Sequence, residues 1–307
     1  MKYLHTSLGQ LDEAAAGIIL AHEHVFVDLR HPDHPDHGKA RAADVVEVMT
    51  PTLREARAAG IGVIVEASTL GVGRRADILA TVSSATGVPL LLPTGVYREP
   101  WIPRWVHEES EAALYRWMLK ELTEQIEGSG IRAGWIKLSA GDDGLTECET
   151  KVLRAAARAA AETGSVIGSH TIRGRVVLRQ LDIAAECGLP PDRFIWIHTQ
   201  AEEDRGIHRE AGHRGAWLEY DAIGTPGTDG MYRGLVIDAI NAGLAARVLL
   251  SHDRGWYDPA KPRGGEQKPY TYLVKTFLPM LADAGVDRDM LDRLVKANPF
   301  AAFSRGQ

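Results

Sequence analysis

His22 and His24 flank Glu23 in the run GIILAHEH (17–24). In an extended strand, residues i and i+2 share a face and stand about 6.6 Å apart. Two imidazoles so placed can converge on one metal ion. An HxH pair alone occurs as often in cores and on surfaces. Four further side chains stand in similar settings. They are Lys137 in GWIKLSA, His170 in IGSHT, His198 in IWIHTQ and Asp253 in LLSHDRGW. Each lies at or near the end of a short apolar run. The gaps between them are 33, 28 and 55 residues. One βα unit of an α/β barrel averages roughly 30 residues, so the gaps read as one, one and two units. Four imidazoles and a carboxylate in one place suit zinc, and cobalt, manganese or iron accept the same ligands.

Lys137 poses a separate problem. An ammonium at the centre of an apolar strand carries a large desolvation cost. Loss of its proton makes the amine a nucleophile for CO₂, and the resulting carbamate is an anion that can bridge two cations. The alternative is a salt bridge to a core carboxylate, for which Glu66, ending the second strand, is the nearest candidate.

The elements that must position these residues alternate along the chain. Val- and Ile-rich runs at 17–24, 61–68, 88–97, 133–140, 165–171, 192–199, 215–224 and 246–253 read as strands. Helical periodicity follows at 44–59, 76–87, 109–127, 146–163, 174–186, 201–212, 230–242, and near 270–284 and 287–296. Continuous apolar strands are expected where both faces are buried. Alternation means a parallel sheet, open or closed. Eight such units in 307 residues fit a single (β/α)8 TIM barrel over 1–307, with the candidate ligands at the C-terminal mouth where barrel enzymes work.

Composition excludes several classes. The chain is 45% hydrophobic and 25% charged, which is ordinary for a globular protein with a sizeable core. No apolar run reaches membrane-spanning length. The net charge is −6 without a basic block, which argues against nucleic acid and anionic membranes as partners. Cys148 and Cys187 build neither a disulfide framework nor a CxxC clip. The N-terminus lacks a signal-peptide core, so a cytoplasmic location is expected.

Two further motifs compete for attention. The loop 30–38 (RHPDHPDHG) carries three His and two Asp; a polar βα loop held by prolines is preferred over a metal site. Gly71-Val-Gly73-Arg-Arg-Ala76 matches GxGxxA, the mark of an NAD-dependent oxidoreductase. That motif belongs after a first strand with an acid about 20 residues on. Here it follows the second, and TGVYR (94–98) offers no acid, so a tight turn is preferred.

Taken together, GIILAHEHVFVDL (17–29), TLGVGR (69–74), TGVY (94–97), GWIKLSA, GSHT, HTQ, YDAIG (220–224), SHD (251–253) and NPFAAF (298–303) resemble the phosphotriesterase-related branch of the amidohydrolase superfamily over nearly the whole chain. The resemblance implies a binuclear metal hydrolase. His22, His24 and Asp253 would hold the buried ion, His170 and His198 the exposed one. Carboxylated Lys137 and a hydroxide would bridge them. Zinc is the expected ion. The hydroxide would attack a lactone or carboxylic ester, with organophosphate triesters as a side activity, and Asp253 would accept the proton. No protein nucleophile is needed, in keeping with the lack of a GxSxG elbow.

The same resemblance assigns residues near the substrate. Tyr97 matches a Tyr that touches the exposed metal or its hydroxide in lactonase members. Arg98, Trp101 and Trp105 follow it and are expected along the pocket. Asp221 matches an Asp that assists proton transfer in some members, although no His partner for it is evident. Ala222 replaces the Arg common in lactonase members, which weakens the case for acyl-homoserine lactones. Arg254 and Tyr257, with Trp256 between them, match a loop whose Arg and Tyr bind phosphate in sugar-lactone phosphate hydrolases. Thr225 stands where those members carry Lys. A phosphorylated sugar lactone and an N-acyl amide are therefore alternative substrates, and a metal-containing ligand-binding barrel is the non-enzymatic alternative. Family members are commonly homodimers, and a homodimer is expected here.

Overall fold

A computed structural model describes residues 1–306. The chain opens with a hairpin, β1 (Leu4–Thr6) and β2 (Gly9–Leu11), and one helical turn, α1 (Glu13–Ala16). Eight βα steps follow. Their strands are β3 (Ile18–Phe26), β4 (Ile61–Glu66), β5 with β6 (Leu90–Leu91 and Pro93–Thr94), β7 (Trp135–Ser139), β8 (Ile167–His170), β9 (Phe194–Ile197), β10 (Trp217–Tyr220) and β11 (Val248–Leu250). The helices are α2 (Ala42–Ala58), α3 (Ala76–Thr86), α4 (Arg104–Glu108), α5 (Glu111–Thr123), α6 (Glu147–Thr163), α7 (Gly174–Glu186), α8 (Arg205–His213) and α9 (Asp229–Asn241). A short strand, β12 (Gly255–Tyr257), leads to α10 (Leu278–Asp283), α11 (Arg288–Asp292) and α12 (Asn298–Phe303), interrupted by π turns. The apolar runs were legible as strands, but the hairpin, α4 and β12 were not expected. No helix among the described residues is long and apolar enough to cross a membrane.

The strands form two parallel arcs, β6 to β11 in sequence order and β12-β3-β4-β5. Only Leu92 separates β5 from β6, so one seam is covalent. At the other seam, the Asp253 amide donates to the His22 carbonyl at 3.2 Å and the His24 amide to the Arg254 carbonyl at 2.8 Å. Two apolar clusters result. Ile19, Val65, Leu91, Trp135, Ile195 and Trp217 pack on one side of the strands, and Leu20, Ile64, Ile136, Trp196 and Leu218 pack against the helices on the other.

Local chemistry sets the element ends. Thr146 and Glu149 form a reciprocal capping box at the start of α6, and Gly164 ends it in the left-handed region at φ 69°. Gly95 has φ +110°, and a Cβ there would lie 2.2 Å from the Lys137 carbonyl, so only glycine lets the chain before Tyr97 lie on β7. The GxGxxA run is a packing device. A Cβ on Gly73 would lie 2.6 Å from the Asp28 amide, where the loops after β3 and β4 meet. In the His-rich loop, His37 Nδ1 lies 2.9 Å from the Arg30 carbonyl. His31 and His34 accept from the Asp33 and Asp36 amides, so these rings brace the loop.

His5 ties the hairpin to the far terminus. Its Nε2 is 3.3 Å from the Gly306 carbonyl, and Arg132 lies 3.0 Å from its Nδ1. Burial, then the charges of Arg305 and Arg132, lower its pKa from 6.5 to about 4. The unfolded chain therefore takes up a proton that the folded chain refuses. This contribution is fully present above 6.5 and is lost as pH falls toward about 4. Unfolding free energies from urea titrations near neutrality and at about pH 5 are expected to differ less in His5→Gln than in the wild type, by on the order of 1 kcal/mol. Equal pH dependence of the two proteins would assign the effect to other groups.

Candidate metal centre

The inward faces of the strands decide which side chains meet. Lys137 follows Trp135 by two, and Glu219 follows Trp217 by two, so both share the face of the inner cluster. Period-two alternation from Ile19 and Ala21 would bring Glu23 to that face. A register shift between Leu20 and Glu23 brings His22 and His24 there instead. His198 and Asp253 adopt left-handed backbone, at φ 63° and 55°, just past the ends of β9 and β11. Such residues turn the side chain off the strand's alternation.

One cavity is lined by all six expected metal ligands: His22, His24, Lys137, His170, His198 and Asp253. The His22 and His198 rings are 5.2 Å apart, the His170 and His198 rings 4.4 Å, and the His22 and His24 rings 5.4 Å. Asp253 Oδ1 lies 3.2 Å from His24 Nε2 and 3.7 Å from His22 Nε2. One ligand atom from each of His22, His198 and Asp253 lies within 4.8 Å of the others.

The far sides of three rings are held. His22 Nδ1 lies 2.8 Å from Glu219 Oε1, His198 Nδ1 lies 2.7 Å from Asp221 Oδ1, and His24 Nδ1 lies 2.7 Å from Ser68 Oγ. Ser68 donates its own proton to the Phe26 carbonyl, so it accepts from His24. Each Nδ1 that donates leaves the Nε2 lone pair free, the arrangement metal-ligating histidines use. Asp253 Oδ1 is buried without any hydrogen-bond partner. A buried unpartnered carboxylate oxygen among imidazoles is costly without a cation. The donor set thus fits a divalent metal ion.

Titration behaviour follows from burial. Desolvation, then the Lys137 charge, holds His22 well below its ordinary value, and desolvation with His198 does the same to His170. Both imidazoles are neutral and available. Burial raises the Asp253 carboxyl, but the His24 ring 3.2 Å away and the surrounding positive charges outweigh this and bring it to about 2. Desolvation lowers Lys137 to about 8 against the pull of Glu219, Asp253, Asp221 and Glu66. Glu66 is not an ion-pair partner. Its oxygens accept from the Val25 and Ser68 amides at 2.6 and 2.9 Å.

The surroundings correct several expectations. Tyr97 does line the cavity, its hydroxyl 3.3 Å from His170 Nδ1, and Trp256 packs on His24 at 5.4 Å. Arg254 and Tyr257 do not line it. The Arg254 guanidinium donates to the Gly224 carbonyl and lies over the Tyr272 ring, and Tyr257 stacks on Phe26. Left-handed Trp256 sits between them at the centre of β12, whose flanking residues Gly255 and Tyr257 pair with β3. Trp105 packs on Trp117, away from the cavity, and Trp101 packs behind Tyr97. Asp221 does have a histidine partner, His198, on the preceding strand's end.

Sequence reasoning missed Glu219, Ser68 and the role of Glu23. Glu219 was detectable as a carboxylate inside the apolar strand WLEY. Glu23 grips the last active-site loop: its oxygens lie 2.8 Å from Ser251 Oγ, 2.6 Å from His252 Nδ1 and 2.8 Å from the Arg254 amide.

The phosphotriesterase family model matches residues 2–303. The chain belongs to the phosphotriesterase family. A "phosphotriesterase homology protein" of Mycobacterium tuberculosis is 29% identical, covering 99% of this chain and 98% of its own. An N-acetyltaurine hydrolase of Xenopus tropicalis is 25% identical, covering 83% of this chain and 76% of its own. A crystal structure of a mutant PTE-like lactonase from Deinococcus radiodurans superposes with a TM-score of 0.89 at 30% identity, covering 98% of this chain and 99% of its own.

Proposed function

We propose that this chain is a binuclear metal-dependent hydrolase of lactones or carboxylic esters, built on a closed (β/α)8 barrel over 1–307. The observation that carries the reading is the convergence of six ligand-type side chains on one cavity, with Asp253 Oδ1 buried and unpartnered. His22, His24 and Asp253 would hold one ion, His170 and His198 the other, with Lys137 as a carbamate between them. When bound, such ions supply an activated water at neutral pH and an electrophile for the substrate's carbonyl or phosphoryl oxygen.

The chain's own residues do the remaining work. Asp253 stays ionised and takes the proton from the attacking water, then passes it toward the leaving group. Asp221 and Glu219 hold the His198 and His22 rings in orientation. Tyr97, kept protonated by burial, offers a hydrogen bond beside His170. Val27, Leu29, Val72 and Trp256 form an apolar wall suited to an acyl or alkyl group. Arg254 faces away, so the cavity lacks the guanidinium a substrate phosphate would need. The phosphorylated sugar lactone is accordingly disfavoured.

An N-acyl amide is the second reading, favoured by the N-acetyltaurine hydrolase relative. Metal-loaded protein is to be assayed against lactones, aryl esters, phosphotriesters and N-acyl amino acids. Lactone or ester turnover that chelation abolishes is the expected result. Faster turnover of the amides would favour the second reading. Saturable binding without turnover in every class, or fewer than about one ion per chain after loading, would overturn the hydrolase assignment.

Asp221→Asn tests the orienting role. The amide accepts from His198 more weakly, so affinity for added zinc is expected to fall about 10- to 100-fold. Competition with a chromophoric chelator measures it. Unchanged affinity would mean that Asp221 does not act through His198.

A further inference from the structure

A second group of ligand-type side chains lies outside the cavity described above. Glu99 sits two residues beyond Tyr97, His107 in α4, and Cys148 in the first turn of α6. One ligand atom from each lies within 4.8 Å of the other two, and His107 Nε2 is 3.4 Å from Glu99 Oε1. They border an open surface cavity of about 380 Å³, together with Thr146, Glu147 and Lys151. It shares no lining residue with the catalytic cavity. We propose that Glu99, His107 and Cys148 form a separate binding site for a borderline-soft divalent ion such as Zn²⁺ or Co²⁺.

The chemistry of the donors carries this first. One thiolate sulfur, one imidazole nitrogen and one carboxylate oxygen match zinc or cobalt, whereas calcium and magnesium take oxygen alone. Bond lengths of about 2.0–2.3 Å place tetrahedral ligands roughly 3.3–3.8 Å apart. The trio therefore needs only a small contraction. His107 and Glu99 are 43% and 34% exposed and free to make it. The open cavity leaves room for water as the fourth ligand.

The backbone that carries the ligands is already held by α6. Glu149, which caps that helix, accepts from the Glu99 amide at 3.2 Å. Lys151 donates to the Val106, His107 and Glu109 carbonyls at 2.8, 3.0 and 2.7 Å. Glu149 and Lys151, one and three residues after Cys148, thus fix the two segments that supply its partners. The Lys151 ammonium is committed to these carbonyls. Burial raises the Cys148 thiol, with Lys151 acting in the opposite direction. Binding displaces the thiol proton to solvent and forms the metal–sulfur bond, so affinity rises with pH. An ion there clips the segment following Tyr97 to α6.

The catalytic centre contains no sulfur, so thiolate-to-cobalt charge-transfer absorption reports this site alone. Titration of the full-length protein with Co²⁺ is expected to produce that absorption. It should vanish in Cys148→Ser, weaken by at least about 100-fold in apparent affinity in His107→Ala, since a ligand contributes more than an outer partner, and persist in Cys187→Ser. It should also persist in Lys137→Ala, which separates this site from the catalytic assignment. Zinc should slow alkylation of Cys148 and leave Cys187 unaffected in the same wild-type sample, a readout that needs no variant to fold. Absence of the absorption at every cobalt loading, its survival in Cys148→Ser, or equal zinc protection of both cysteines would overturn the proposal.

Discussion

Lys137→Ala is expected to lose at least about 100-fold in turnover and to bind less metal, because a ligand contributes more than the outer partners whose loss costs about 10- to 100-fold. The reasoning starts from burial. Lys137 is 2% exposed, and no carboxylate lies within ion-pair distance of its Nζ among the described residues. Desolvation brings it to about 8, so about a tenth of the amine is neutral at pH 7, far more than for an ordinary lysine. Its nitrogen can then attack CO₂: the N–C bond forms, the amine proton leaves to solvent, and an anion replaces a cation among the imidazoles. Truncation to alanine leaves a hole of matching length. Short carboxylic acids should fill it and restore a measurable part of the activity, whereas chloride should not. Full activity in Lys137→Ala, or loss that no carboxylic acid repairs despite normal metal content, would remove the carbamate from the site.

Asp253→Asn is expected to lower kcat by about 10²- to 10⁴-fold, the usual range for removal of a proton-transfer group. Asparagine keeps the volume but loses the charge and the basicity. Its fold should survive, since asparagine tolerates the left-handed backbone that Asp253 adopts at φ 55°. Melting within a few degrees of the wild type checks this. Hydrolysis of an activated aryl ester should suffer less than that of a poor leaving group, because only the latter needs the proton delivered. Equal losses for both would mean that Asp253 serves as a ligand alone.

Much of this site was legible in the linear chain, for a local reason. Each candidate ligand interrupts or follows an apolar run, and parallel strands buried on both faces read as such runs. Lys137 obeys simple alternation from Trp135, so its direction followed from parity; Glu219 obeys the same rule from Trp217 but was not read. The helix 174–186 matched its expected bounds because its amphipathic period is strong and local. The segment 88–97 was less faithful: it breaks at Leu92 and ends at Thr94, since the approach of Lys137's carbonyl to Gly95 is a tertiary constraint.

The chain's order of residue types by itself determined the alternating architecture, the set of six ligand-type side chains and their place in or just past the strands. Only the tertiary structure decided that His22 and His24, rather than Glu23, face the cavity, and that Asp221 meets His198. It also turned Arg254 and Tyr257 away. The difference is one of range. Hydrophobic period is written within a few neighbouring residues. A register shift, a left-handed residue or a partner on the adjoining strand depends on hydrogen bonds between segments far apart in the chain, such as Asp253 to His22.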